Sequence, residues 1–268
     1  SIFAWNIYLY VGFIGIGAVY LWLMLERRMN AYTKPMGLVA FVWRLALTTG
    51  TGSIFGFLVA RQAYDAAIMA PMFIAMSLAF GLAVFILVVM GLSRGTGREL
   101  GDDLLRRLAR LLGIFAAVVL YFAAAQHLTN LYAAEHAGVE RFILLEGGIY
   151  TMLFWGGQVV IGGLLPLALI FAPQLKASRF AVVLAAAGVI VGGIAQLYVI
   201  IIGGQAFPQV LFPGMIVQSS FADGVIAAYS PSLPELGLGL GGAALALAIV
   251  TMAVKVLALF PASIADTE

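Results

Sequence analysis

The stretch LYFAAAQHLTNLYAAEHAGVERFILLEGGIYTMLFWGGQVVIGGLLPLALIF, residues 120–171, decides how this chain is read. It carries both histidines of the sequence, His127 and His136, together with the acids Glu135, Glu140 and Glu146. Apolar runs of membrane length flank them. Titratable groups between two such runs are costly to keep near lipid, so they mark a candidate functional site. The competing account is a plain surface loop, where charges are solvated.

Outward from this stretch the composition sets the class. The chain has 268 residues, of which 63% are hydrophobic and 10% charged. A soluble domain is about one quarter charged, so this is an integral membrane protein. Seven runs are long enough to span a bilayer. They are Trp5–Leu25, Met36–Ala60, Met69–Leu92, Leu111–Ala133, Gly148–Phe171, Phe180–Gly203 and Leu236–Phe260. The expectation is an all-α bundle of seven transmembrane helices forming one domain over residues 1–268, with no soluble module attached. An eighth span over Val210–Tyr229 is the alternative, interrupted by Pro213, Gly214 and Asp223. The first run has no basic residue before it and is expected to be a retained helix instead of a cleaved signal.

Basic residues then orient the bundle. Arg27, Arg28, Lys34, Arg94, Arg98, Arg106, Arg107, Arg110, Lys176 and Arg179 fall on one side, and only Arg61 and Arg141 on the other. Ten against two predicts an outside N-terminus. The expected localisation is the cell inner (cytoplasmic) membrane. The same split places the His127–Glu146 region and the Gly204–Glu235 connector on the outer face. That connector holds Pro208, Pro213, Pro231 and Pro234 around an apolar middle. Irregular backbone cannot face lipid, so it should pack over the bundle as a lid or enter it as a short helix. Between the third and fourth runs, Gly95–Leu112 has leucines at helical spacing with arginines opposite. It predicts an amphipathic helix lying on the inner surface.

Several classes are excluded or disfavoured. There is no cysteine, so this sequence holds no disulfide, no cysteine-ligated iron–sulfur cluster and no thiol nucleophile. Two histidines close together at one helix end do not face a haem from two sides, so neither haem nor another metal is expected. No nucleic-acid partner is expected. The glycine pairs, such as Gly162/Gly163 and Gly192/Gly193, read as close helix contacts and not as nucleotide loops. Lys255 invites a retinal linkage, but it lies towards a helix end and Thr251 stands one turn before it where an acid would be needed.

Three groups of residues could carry chemistry. The start of the first helix offers Trp5, Asn6, Tyr8 and Tyr10, either interface anchors or the lining of a pocket for a quinone head group. The end of the fourth offers Gln126, His127, Asn130, Tyr132, Glu135, His136 and then Glu140. His127 and Asn130 share a face at i, i+3, and a histidine beside carboxylates can exchange protons near neutral pH. The third group is a polar strip inside the membrane: Arg44, Thr48, Thr51 and Ser53, then Gln158, Gln196, Tyr198, Thr251 and Lys255. Arg44 reads equally as part of a proton route or as a snorkelling cation.

The stretches IYLYVGFIGIGA (7–18), HLTNLY (127–132), ERFILLEGGIYTMLFWGGQVVIGGLLPLAL (140–169), YVIIIGGQAFP (198–208) and DGVIAAYSPSLPELGLGLGG (223–242) give the chain a family likeness. It resembles the NrfD/polysulfide-reductase membrane subunit family, of the DsrP and HmcC type. The resemblance implies the membrane-anchor subunit of a multi-subunit respiratory redox complex. Such a subunit binds menaquinone or ubiquinone, holds no haem or iron–sulfur cluster itself, and exchanges electrons with a ferredoxin-like iron–sulfur subunit on the outer (periplasmic) face. A molybdopterin or cytochrome subunit often lies beyond. It places head-group contacts on the first helix, here at Trp5, Asn6 and Tyr8, with no histidine matching the family's. Weight therefore moves to Tyr8, His127 and Glu140, with Glu135 as a further proton-handling candidate and Asn130, Tyr132 and His136 as further contacts. The alternative from another class is a proton, ion or small-molecule transporter without redox chemistry.

Overall fold

The computed structural model describes residues 1–172, 178–209, 215 and 224–257. Among them there is no strand, and seven helices are long and apolar enough to cross a membrane. They are α1 Ile2–Leu25, α2 Thr33–Gly56, α3 Met69–Thr96, α4 Asp102–Tyr132, α5 Ile149–Phe171, α6 Arg179–Ala206 and α7 Leu233–Val256. The fold is an all-α integral membrane bundle. Most of the proposed eighth span, like Lys176, lies outside the described residues.

The helices differ in how much they bury. α3 is apolar on every side, and Met69, Met72, Ala79, Ala83 and Ile86 are all sealed from the surface. A helix that is hydrophobic all round belongs in the middle, and α3 contacts α2, α4 and α6. Small residues let α5 and α6 meet backbone to backbone: a Cβ added at Gly192 would lie 2.1 Å from the Gly162 Cα. Gly15, Gly17 and Gly156 meet nothing, whereas Gly52 abuts the Ala70 backbone and Gly12 the Trp43 ring, so the close-contact reading fails for the Gly15/Gly17 pair and holds for Gly52, Gly162 and Gly192. α1 rests on α2, with the Trp43 indole donating to the Leu9 carbonyl at 2.9 Å. α7 begins with a capping box between Ser232 and Glu235 and buries none of its residues.

The amphipathic surface helix expected over Gly95–Leu112 is not separate. Ser93 to Thr96 complete α3, Gly97 turns the chain at φ +67°, and Asp102 already opens α4. Asp102 and Asp103 complement the helix N-terminus, Arg107 pairs with Asp103 at 2.7 Å one turn on, and no glycine or proline interrupts residues 102–112. The arginines therefore sit on the first turns of a spanning helix.

Two connections at the opposite membrane face build the site. Between α4 and α5, residues 134–146 form three short helical turns, the last a π turn, ended by Gly148 at φ +58°. They fold back onto the bundle and bury Val139, Glu140, Phe142 and Ile143. The plain surface loop is thereby overturned. Between α2 and α3, Tyr64 donates to the Ile201 carbonyl at 3.1 Å, and Arg61 donates to the Gln205 carbonyl at 2.9 Å. This connection is tied to the end of α6.

Candidate functional site

α4 presents His127 and Asn130 on one face a turn apart, and the folded-back segment brings Glu140 to both. Glu140 Oε2 lies 2.6 Å from His127 Nδ1, and Asn130 Nδ2 donates to Glu140 Oε1 at 2.8 Å. Glu140 is 1% exposed. A carboxyl in such a place is tolerable only with partners, and here each oxygen has one. Because Nδ1 faces Glu140, the imidazole keeps Nε2 for another group. The ring stands edge-on to Phe154, centroids 4.6 Å apart, which fixes its plane. The His127 side chain is 13% exposed, so one edge reaches the outside while Glu140 does not.

Behind this cluster lies a cavity of about 20 Å³. Gln126 from α4, His127, Gln158 from α5 and Gln196 from α6 supply its polar lining. It is the size of a water molecule and far too small for a quinone ring. Gln158 lies in the stretch Leu153–Leu164, where α5 is wound as a π-helix, a form that recurs at functional sites. Three glutamines from three helices thus extend polar groups from His127 into the bundle.

The second histidine is placed differently. His136 Nδ1 donates to the Gln62 carbonyl at 2.7 Å, and its Nε2 lies 3.6 Å from Glu135. His136 is buried and pins the folded-back segment to the α2–α3 connection, whereas Glu135 is 74% exposed. Arg141 and Glu146 pair with each other at the surface, with Nε to Oε1 at 2.7 Å. Burial pushes the Tyr64 phenol above its ordinary pKa, and the Arg61 guanidinium pulls the other way.

The remaining candidates fall elsewhere. Asn6 is buried on α1, and Thr51 of α2 donates to its Oδ1 at 3.4 Å. Trp5 and Tyr8 are exposed and pack edge to face with each other. Tyr132 is 95% exposed. Among the described residues no hydrogen bond, ion pair or ring contact joins these four to His127. Among the described residues Arg44 pairs with no acid; its guanidinium sits 5.4 Å from the centre of the Phe13 ring. The structure adds Phe154, Gln62 and Tyr64, which sequence reasoning passed over. A phenylalanine in an apolar run and a backbone carbonyl in a loop carry no local signal of their role.

The chain is 32% identical over 267 residues to an Hdr-like menaquinol oxidoreductase integral membrane subunit of Archaeoglobus fulgidus, covering 97% of this chain and 66% of the relative. It is 25% identical over 232 residues to a subunit of the selenate reductase of Mesobacillus selenatarsenatis, covering 86% of this chain and 53% of the relative. The chain thus spans about half to two thirds of the length of these curated relatives. No solved structure matches significantly. The profile described as polysulphide reductase, NrfD, matches residues 1–209, a span that contains α1 to α6 and the whole His127–Asn130–Glu140 cluster. This multi-pass integral membrane protein belongs to the polysulphide reductase NrfD family.

Proposed function

We propose that this chain is the quinone-reactive membrane subunit of a respiratory oxidoreductase complex, and that His127 and Glu140 handle the quinone's protons. The observation that carries this reading is a carboxyl sealed at 1% exposure whose one oxygen is held by a histidine with an edge at the surface. The menaquinol named for the archaeal relative supports the substrate class. Menaquinone is preferred on that ground over ubiquinone.

A bound quinol supplies two electrons and two protons. The head group does not fit the enclosed cavity, so it docks outside it, against the exposed edge of His127. There His127 Nε2 accepts a hydroxyl proton, and Glu140 stabilises the imidazolium through Nδ1, then passes protons on one at a time. Asn130 holds Glu140 in register. The two electrons leave to a ferredoxin-like iron–sulfur subunit docked over the same face, on the periplasmic side of the inner membrane, with a molybdopterin or cytochrome subunit beyond it. The ten-to-two split of basic residues supports that orientation. Gln126, Gln158 and Gln196 give protons a way inward and support translocation. Glu135, Trp5, Asn6, Tyr8, Tyr132 and His136 stand outside this pair, and of them His136 has a positioning role.

The test is menaquinol-dependent reduction by the purified complex in wild-type and His127→Gln forms, with the co-purifying chains identified. Loss of turnover with an intact complex is expected. Full turnover in the variant, or purification with no redox partner, would overturn the reading and favour a transporter.

A further inference from the structure

At the membrane face opposite His127, a crevice of about 520 Å³ opens between the end of α3 and the start of α6. Arg94, Arg98 and Arg179 line it, and Met90, Phe180 and Val183 form its apolar walls. The arginines are arranged by the fold. Gly97, in the left-handed conformation, ends α3 and turns the chain so that the Arg98 amide donates back to the Ser93 carbonyl at 3.0 Å. Arg179 is fixed by donating to Asp102 at 2.8 Å and to the Leu100 carbonyl at 2.6 Å. Arg94 makes no ion pair among the described residues.

A second observation points to a ligand. Ser93 lines the same crevice, is 4% exposed, and its hydroxyl is the one buried side-chain polar atom without a hydrogen-bond partner among the described residues. A helical serine normally returns its hydroxyl to the carbonyl four residues back, and a buried hydroxyl left unpaired is destabilising. The unpaired Arg94 guanidinium, the N–H groups that Arg98 and Arg179 keep beyond their existing partners, and one hydroxyl suit a phosphate, which pairs with arginine in bidentate fashion. The apolar walls and the position at the ends of two spanning helices suit the glycerol and acyl portion of a lipid.

We infer that this crevice binds the phosphate headgroup of one anionic phospholipid, with Arg94, Arg98, Arg179 and the Ser93 hydroxyl as its donors. The site is remote from the His127 cluster and stands independently of the redox reading. Basic pockets between spanning helices take such headgroups, at about fivefold in affinity for each arginine near the surface.

The experiment uses the full chain in nanodiscs and counts retained lipid by native mass spectrometry. Phosphatidylglycerol is titrated against phosphatidylcholine, and inorganic phosphate is the competitor. The wild type is expected to retain one phosphatidylglycerol in preference to phosphatidylcholine. Arg94→Gln, an exposed and unpaired position, should weaken that preference about fivefold. Ser93→Ala should weaken it by a similar factor. Equal retention of the two lipids overturns the proposal, as does unchanged retention in both variants. Inorganic phosphate displacing the lipid at equimolar concentration would also overturn it, because the site would then read phosphate alone. A Ser93→Ala variant that gains thermal stability in phosphatidylglycerol discs identifies Ser93 as a mere packing defect and removes it from the site.

Discussion

Replacing Glu140 separates the proton role proposed for it from its structural part. In Glu140→Gln the amide keeps the shape of the carboxylate. Asn130 Nδ2 still donates to the side-chain oxygen across 2.8 Å, and the new NH₂ donates to His127 Nδ1 across 2.6 Å in the opposite sense. Both buried contacts survive, so stability should change by less than about 1 kcal/mol. The carboxylate that stabilises the imidazolium is gone, so menaquinol turnover should fall by about 10²- to 10⁴-fold. In Glu140→Ala both partners lose their acceptor at a site that is 1% exposed. Asn130 is buried and His127 nearly so, and an unpaired buried group costs about 1–3 kcal/mol, giving about 2–6 kcal/mol for the two. The assay pairs quinol oxidation by the intact complex with thermal unfolding of the chain in detergent. Glu140→Gln retaining more than half of wild-type turnover would refute the proton assignment. Glu140→Ala unfolding at the wild-type temperature would refute the buried cluster itself.

The remaining predictions concern packing, pH and orientation. Gly192→Val places side-chain atoms where a Cβ alone would sit 2.1 Å from the Gly162 Cα; it should force α5 and α6 apart and lower stability by about 1–3 kcal/mol, read by thermal unfolding. Burial raises the Tyr64 pKa, so the folded chain holds that proton at a pH where the unfolded chain releases it. Stability should then fall as pH rises through about 10, and Tyr64→Phe should flatten that slope in alkaline melts. The sequence has no cysteine, so Tyr132→Cys and Arg28→Cys each give a single labelling site. With the N-terminus outside, an impermeant maleimide added to intact cells should label position 132 and spare position 28; the reverse pattern would invert the topology.

How much was legible in the sequence follows from which interactions are local. Membrane spans are set by runs of apolar side chains and by the cost of unsatisfied backbone in lipid, and both can be read along the chain. All seven expected runs are therefore helices, with shifted ends. The shift at α4 was the largest, because Asp103–Arg107 pairing and the acidic first turn favour one continuous helix, whereas leucine spacing alone fitted a surface helix equally well. His127 and Asn130 belong together by helical periodicity alone, which sets residues three apart on a common face.

Only tertiary structure decided what that face meets. Glu140 reaches His127 because residues 134–146 fold back and bury Val139 and Phe142, a choice driven by apolar burial against the bundle and invisible to periodicity. The same burial divided the two histidines: His136 donates to a backbone carbonyl 74 residues away, while His127 keeps an edge outside and a buried carboxyl behind it. Gln126, Gln158 and Gln196 were visible as polar exceptions in apolar helices, yet their convergence on one water-sized cavity required α4, α5 and α6 to pack. Composition determined that this chain lives in a membrane. Long-range packing, which brings together groups with no relation in sequence, determined which polar groups meet inside it.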